Sequence, residues 1–90
     1  MDIIEGKVIR IIDGDTFEIK VSKQYKDNEY EYNPVERIRI RGKDAPELTT
    51  PAGNKSKEQL KRKLLHKKVR CYIHSRDKFG RLISDVKILK

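Results

Sequence analysis

Residues 8–21 read Val8-Ile9-Arg10-Ile11-Ile12-Asp13-Gly14-Asp15-Thr16-Phe17-Glu18-Ile19-Lys20-Val21, and their pattern decides the fold class. Val8 to Ile12 is rich in Val and Ile and stops at the turn signal Asp13-Gly14-Asp15. Thr16 to Val21 then alternates, with Phe17, Ile19 and Val21 on one face. A period of two on both sides of a tight turn is a β-hairpin.

Outward from the hairpin, Ser22 to Pro34 is polar, carries Asp27-Asn28 and reads as a long mobile loop. Its tyrosines Tyr25, Tyr30 and Tyr32 are placed to extend the strands into a ribbon. A third strand is expected from Glu36 to Arg41, with Ile38 and Ile40 inward and Arg37, Arg39 and Arg41 opposite. Gly42 and Pro46 break that pattern. Pro51-Ala52-Gly53-Asn54 reads as a second loop, with Asn54 or Ser56 capping a helix from Lys55 to His66. Ser56, Leu60 and Leu64 share one face of that helix, with Leu65 alongside. Val69 to His74 alternates as a fourth strand, Asp77-Lys78-Phe79-Gly80 is a turn, and Leu82 to Leu89 is a fifth strand. Three strands, a helix and two strands suggest a mostly β protein, a five-stranded OB-fold barrel with its helix between strands three and four. SH3-like and other small barrels fit the same pattern.

Ninety residues, 36% of them hydrophobic and with a mean hydropathy of −0.82, make a single domain with a thin core. Cys71 is the only cysteine, which excludes an internal disulfide, and only His66 and His74 could join it in a zinc cluster. No basic-then-apolar leader precedes Ile3, so no signal peptide is expected, and no apolar run is long enough to span a membrane. Twenty-two Lys and Arg against fourteen Asp and Glu give a net charge of +8. A field of that sign concentrates polyanions, with nucleic acid the natural partner.

Hydrolysis of a phosphodiester needs a cation against the phosphoryl oxygens, a base for water and fixed donors for the transition state. Asp13-Gly14-Asp15-Thr16 and Asp44-Ala45-Pro46-Glu47 each place two carboxylates at a turn. Hard oxygen ligands from two separated turns suit Ca²⁺. An EF-hand loop starting at Asp13 fails, because Phe17 and Glu18 stand where a ligand and a glycine are required. Taken alone, Asp-Gly-Asp reads first as a plain hairpin turn. Arg39 and Arg81 offer guanidinium forks that match phosphate, whereas Arg37 and Arg41 read as solvated strand residues. The lysine-rich helix reads as a solvated face, helped by Glu58 four residues before Arg62. His66 and His74 have no partner at ligand spacing.

Three blocks, Ile11-Ile12-Asp13-Gly14-Asp15-Thr16, Arg39-Ile40-Arg41-Gly42-Lys43-Asp44-Ala45-Pro46-Glu47 and Asp77-Lys78-Phe79-Gly80-Arg81, resemble the motif blocks of the staphylococcal nuclease (thermonuclease) family. They occur in the family's order, over about Val8 to Ile88. The resemblance implies a Ca²⁺-dependent nuclease that cleaves DNA or RNA with little sequence specificity. It implies Asp15 and Asp44 as carboxylate ligands of Ca²⁺, with the backbone carbonyl of Ala45 as a third ligand. Glu47 matches the family's proposed general base, and Arg39 and Arg81 match the arginines that hold the phosphate. Asp13 and Thr16 match supporting positions at the metal turn, and Lys78 and Phe79 match positions near a bound nucleotide. Ala45 stands where Thr is common and Phe79 where Tyr is common.

Longer family members continue into one or two helices after the fifth strand. The chain ends at Lys90 and is therefore expected to be a minimal version or a piece of a longer protein. A second function class follows: an OB-fold module that binds nucleic acid without cutting it. Retention of Asp15, Arg39, Asp44, Glu47 and Arg81 together favours the enzyme over that module and over a purely structural basic domain. Nothing in the sequence demonstrates an oligomer.

Overall fold

The computed structural model describes residues 1–89. Five strands, β1 (Asp2–Ile11), β2 (Thr16–Gln24), β3 (Val35–Ile40), β4 (Lys68–Arg76) and β5 (Leu82–Leu89), close into a barrel in the order β1-β2-β3-β5-β4. The parallel pairing of β3 with β5, Ile38 opposite Leu82 and Arg39 opposite Ile83, completes the closure. Every other pairing is antiparallel. One helix, α1 (Pro51–Leu64), lies between β3 and β4 in sequence. This is the expected five-stranded barrel with its single helix.

Alternation builds the interior. Ile4, Val8, Phe17, Ile19, Ile38, Val69, Cys71 and Leu82 are buried, and α1 adds Leu60 and Leu64 to the same cluster. Burial of each such side chain contributes roughly 1.5–3 kcal/mol. Burial also pushes the Cys71 thiol up to about 12, so it packs as a small hydrophobe.

Several element boundaries differ from the sequence expectation. β1 begins at Asp2 rather than Val8, because residues 2–7 pair with β4. Polar Asp2 and Glu5 disguise that stretch, yet both are buried, with their carboxylates saturated. Asp2 accepts from the amides of Glu29 and Tyr30 and from the Tyr32 hydroxyl, and Glu5 accepts from the Tyr25 hydroxyl and Arg70 Nε. The tyrosines therefore act as donors that tie the loop of residues 25–34 to β1, and β2 ends at Gln24 without a ribbon. Asn28 reinforces the tie by bonding both backbone groups of Ile3.

The helix starts at Pro51 rather than Lys55 and ends at Leu64 rather than His66. Thr50, not Asn54 or Ser56, is its cap: its hydroxyl accepts from the Gly53 amide at 3.0 Å. Pro51 takes the first helical turn, where a missing N–H costs nothing. No ion pair joins Glu58 to Arg62. Smaller shifts put β3 at Val35–Ile40 and lengthen β4 to Lys68–Arg76.

Candidate active site

Asp15 sits where β2 leaves the tight turn, and it is buried. Asp13 Oδ1 accepts from the Asp15 amide at 3.0 Å, which fixes the turn. One Asp15 oxygen accepts from the Thr16 hydroxyl at 2.8 Å, and the other accepts from the Ala45 amide at 3.1 Å. The second bond crosses from the β1–β2 turn to the loop after β3. Arg39, in β3 opposite Thr16, brings its Nη2 to 3.7 Å from Asp15 Oδ2 and to 2.7 Å from Asp44 Oδ1. Asp15 and Asp44 thus converge on one guanidinium nitrogen, with Asp13, Thr16 and Ala45 bonded to Asp15.

Electrostatics divides the two turn carboxylates. Burial raises the Asp13 carboxyl, and the adjoining Asp15 charge raises it further. Burial also raises Asp15, but the hydrogen bonds from Asp13, Thr16 and the Ala45 amide, together with the Arg39 charge, outweigh it and hold Asp15 below the ordinary range. Asp15 is accordingly the more acidic of the two.

The loop of residues 43–50 is clamped to the start of α1. The Glu47 carbonyl accepts from both the amide and the hydroxyl of Thr50, at 3.0 and 2.7 Å. Gly53 packs against that same carbonyl, where any Cβ would collide with it. The Glu47 side chain itself is exposed and has no hydrogen-bond partner among the described residues.

Arg81 stands on the neighbouring edge, one residue before β5. Ile38 and Leu82 are paired and both buried, so alternation turns Arg39 and Arg81 to the outer surface of adjacent strands. Asp77 holds Arg81 in place: its Oδ2 accepts from Arg81 Nε at 2.7 Å, and its Oδ1 accepts from the amides of Phe79 and Arg81, both at 2.9 Å. Phe79 projects from the turn, 70% exposed, with Lys78 Nζ and the Arg81 guanidinium each 5.2 Å from its ring centre.

Six of the ten sequence-derived site residues therefore meet: Asp13, Asp15, Thr16, Arg39, Asp44 and Ala45. Lys78, Phe79 and Arg81 form a second group on the β4–β5 turn, and Glu47 touches neither. Asp77 was missed as a positioning residue. Its signal was an aspartate opening a turn that closes on arginine, where an Asx side chain bonds backbone amides two and four residues on.

Among the described residues no three His, Cys, Asp or Glu side chains converge at metal-binding distance. The chemistry of the donors suits a hard cation, since the Asp15 and Asp44 carboxylates are both drawn to one positive centre, while Ala45 meets Asp15 through its amide. A separate cavity of about 570 Å³, bounded by Asp2, Tyr30, Tyr32, His74 and Arg76, is lined by none of these residues.

Residues 37–90 match the family described as staphylococcal nuclease homologue. An uncharacterized endonuclease of Escherichia coli O157:H7 is 32% identical over 83 residues, covering 92% of this chain and 48% of that protein. Two probable staphylococcal-like nucleases of Oryza sativa subsp. japonica, CAN1 and CAN3, are 40% and 44% identical over 50 residues. That stretch is 56% of this chain but only 15% and 13% of those proteins. The chain thus spans about half of the bacterial relative and a small part of the plant ones.

Proposed function

Because the chain belongs to the staphylococcal nuclease homologue family, we propose that it hydrolyses phosphodiester bonds of DNA or RNA with little sequence specificity, using Ca²⁺. The observation that carries this reading is the convergence of Asp15 from one turn and Asp44 from another on the Arg39 guanidinium, with the Ala45 amide bonded to Asp15. Asp15, Asp44 and the Ala45 carbonyl would hold the ion, which when bound supplies positive charge against the phosphoryl oxygens.

The chain's own residues do the remaining work. Asp13 and Thr16 keep Asp15 oriented and ionised. Arg39 and Arg81, outward on adjacent strands, present guanidinium donors to the non-bridging oxygens of a phosphate lying across β3 and β5. Asp77 keeps Arg81 aimed outward. Glu47 reaches from the clamped loop to orient the attacking water and take its proton. Phe79 gives an exposed ring on which a base can stack beside Lys78.

A second reading, binding without cleavage, draws on the exposed and unbonded Glu47 side chain. Incubation of the chain with single-stranded DNA and RNA, in millimolar-scale Ca²⁺ and in chelator, separates the two. Cleavage in Ca²⁺ that chelator abolishes is expected. Salt-sensitive binding with intact strands under both conditions would favour the binding module.

A further inference from the structure

The charge left over after ion pairing is not spread evenly. Among the described residues every arginine except Arg62 lies within 4.0 Å of a carboxylate, and no lysine does. Three of those lysines stand in a row across the barrel. Lys7 on β1 is the direct partner of Lys20 on β2 and, on its other side, of Lys68 on β4. Like charges directly opposite on neighbouring strands destabilise a sheet, and two such pairs share Lys7.

The row borders a depression of about 410 Å³ lined by Lys7, Lys20, Val21, Ser22, His66 and Lys68. All three lysines are exposed. His66 enters from the end of α1 with φ of 67°, a left-handed conformation that glycine usually takes at a helix end. Its amide donates to the Val8 carbonyl at 2.9 Å, while Val8 donates to the Lys67 carbonyl at 2.9 Å. Those two bonds anchor the helix end beside Lys7. Gly6, next to the row, lies at a register shift of β1, where a Cβ would collide with the Lys20 carbonyl. Three cations with no carboxylate within 4.0 Å and a histidine in left-handed backbone thus share one surface.

We infer that the Lys7–Lys20–Lys68 row, with His66, is a second phosphate-binding surface that holds a nucleic-acid strand away from the candidate active site. The inference rests on the reading that the substrate is a nucleic acid. Strands about 4.8 Å apart place Lys20 and Lys68 roughly 10 Å from one another. The candidate active site adjoins the start of α1 through the Glu47–Thr50–Gly53 clamp, and the row adjoins its end. Fourteen helical residues therefore separate the two surfaces by about 20 Å. Lys55, Lys61 and Lys63 lie exposed on the helix between them. A strand that reaches both surfaces is held at a distance from the bond being cut, and longer substrates are retained more tightly.

The test is anisotropy of a fluorescein-labelled oligodeoxythymidine of about 20 nucleotides, titrated in chelator over a range of salt. Compared with the wild-type chain, Lys7→Gln/Lys20→Gln/Lys68→Gln is expected to flatten the slope of log affinity against log salt by about 2. Lys7→Arg/Lys20→Arg/Lys68→Arg is expected to keep the slope. A control that removes equal charge elsewhere, Lys23→Gln/Lys26→Gln/Lys87→Gln, is expected to change it less. An unchanged slope in the first variant, or an equal change in the control, would overturn the row as a specific surface while leaving wild-type binding intact. Absence of wild-type binding would overturn it together with the nucleic-acid reading.

Discussion

Arginine and lysine divide this molecule between them. On the outer side of β3 and β5 each guanidinium is held by a carboxylate: Arg37 by Glu18, Arg39 by Asp15 and Asp44, Arg41 by Asp85, Arg81 by Asp77. Around α1 and the strand row beside its end, the lysines have no such partner. The first region fixes direction at the expense of net charge, as chemistry on one phosphate requires. The second keeps its charge and leaves direction to flexible stems, which suits a strand that must be held and also slide.

The widest test of that division is Arg39→Lys, which preserves charge and removes the fork. Cleavage is expected to fall about 10²–10³-fold with the salt dependence of binding unchanged. Full activity in single-turnover assays would show that charge, not geometry, is what Arg39 supplies.

The structural pairs of the arginine region should matter next. Glu36 is buried, and both its oxygens take bonds from Arg76 at 3.1 Å while one also accepts from the Asn33 amide. Its replacement by Ala should cost about 2–3 kcal/mol in urea unfolding, below the full price of a buried pair because Arg76 is partly solvated. A loss within 0.5 kcal/mol, the usual range for an exposed lysine, would erase the contrast.

Acid should find the buried carboxylates of β1. The Tyr25 hydroxyl and Arg70 hold the Glu5 carboxyl below its ordinary value of 4.5. Asp2 is likewise lowered from 3.8, because the Tyr32 hydroxyl and two amides outweigh burial. A carboxyl lowered by folding binds fewer protons folded than unfolded, so its stabilisation is complete above the unfolded value and disappears as pH falls through the folded one. Stability should therefore decline below about pH 4.5, and Glu5→Gln should shrink that decline. An identical acid profile in wild type and variant would remove Glu5 from it. The smallest effect lies in the lysine region, where Lys7→Gln/Lys20→Gln/Lys68→Gln should raise stability by about 0.5–1 kcal/mol by relieving like-charge pairs. Destabilisation of that variant would mean the row is held by contacts other than its charge.

The barrel was legible because alternation exposed its buried faces: Phe17, Ile19, Ile38, Val69, Cys71 and Leu82 all lie where a period of two puts them. The first half of β1 was not, since Asp2 and Glu5 look like loop residues until their long-range partners at Tyr32, Tyr25 and Arg70 are known. The helix start was hidden for a similar reason, as Pro51 and Gly53 signal a loop in sequence but serve a first turn and a close contact in space. The site's turn residues and Arg39 could be named from their motif blocks. The tilt of Arg39 between two carboxylates and the lysine row depend on strand register, which no local pattern carries, whereas the hold of Asp77 on Arg81 is local to its turn.

The most direct measurement is single-turnover cleavage of a labelled single-stranded DNA by wild type and Glu47→Gln in Ca²⁺, with binding followed in parallel. The expected result is equal binding and a 10²–10⁴-fold slower cleavage in the variant. Equal cleavage by both proteins would remove Glu47 as the base of the proposed reaction.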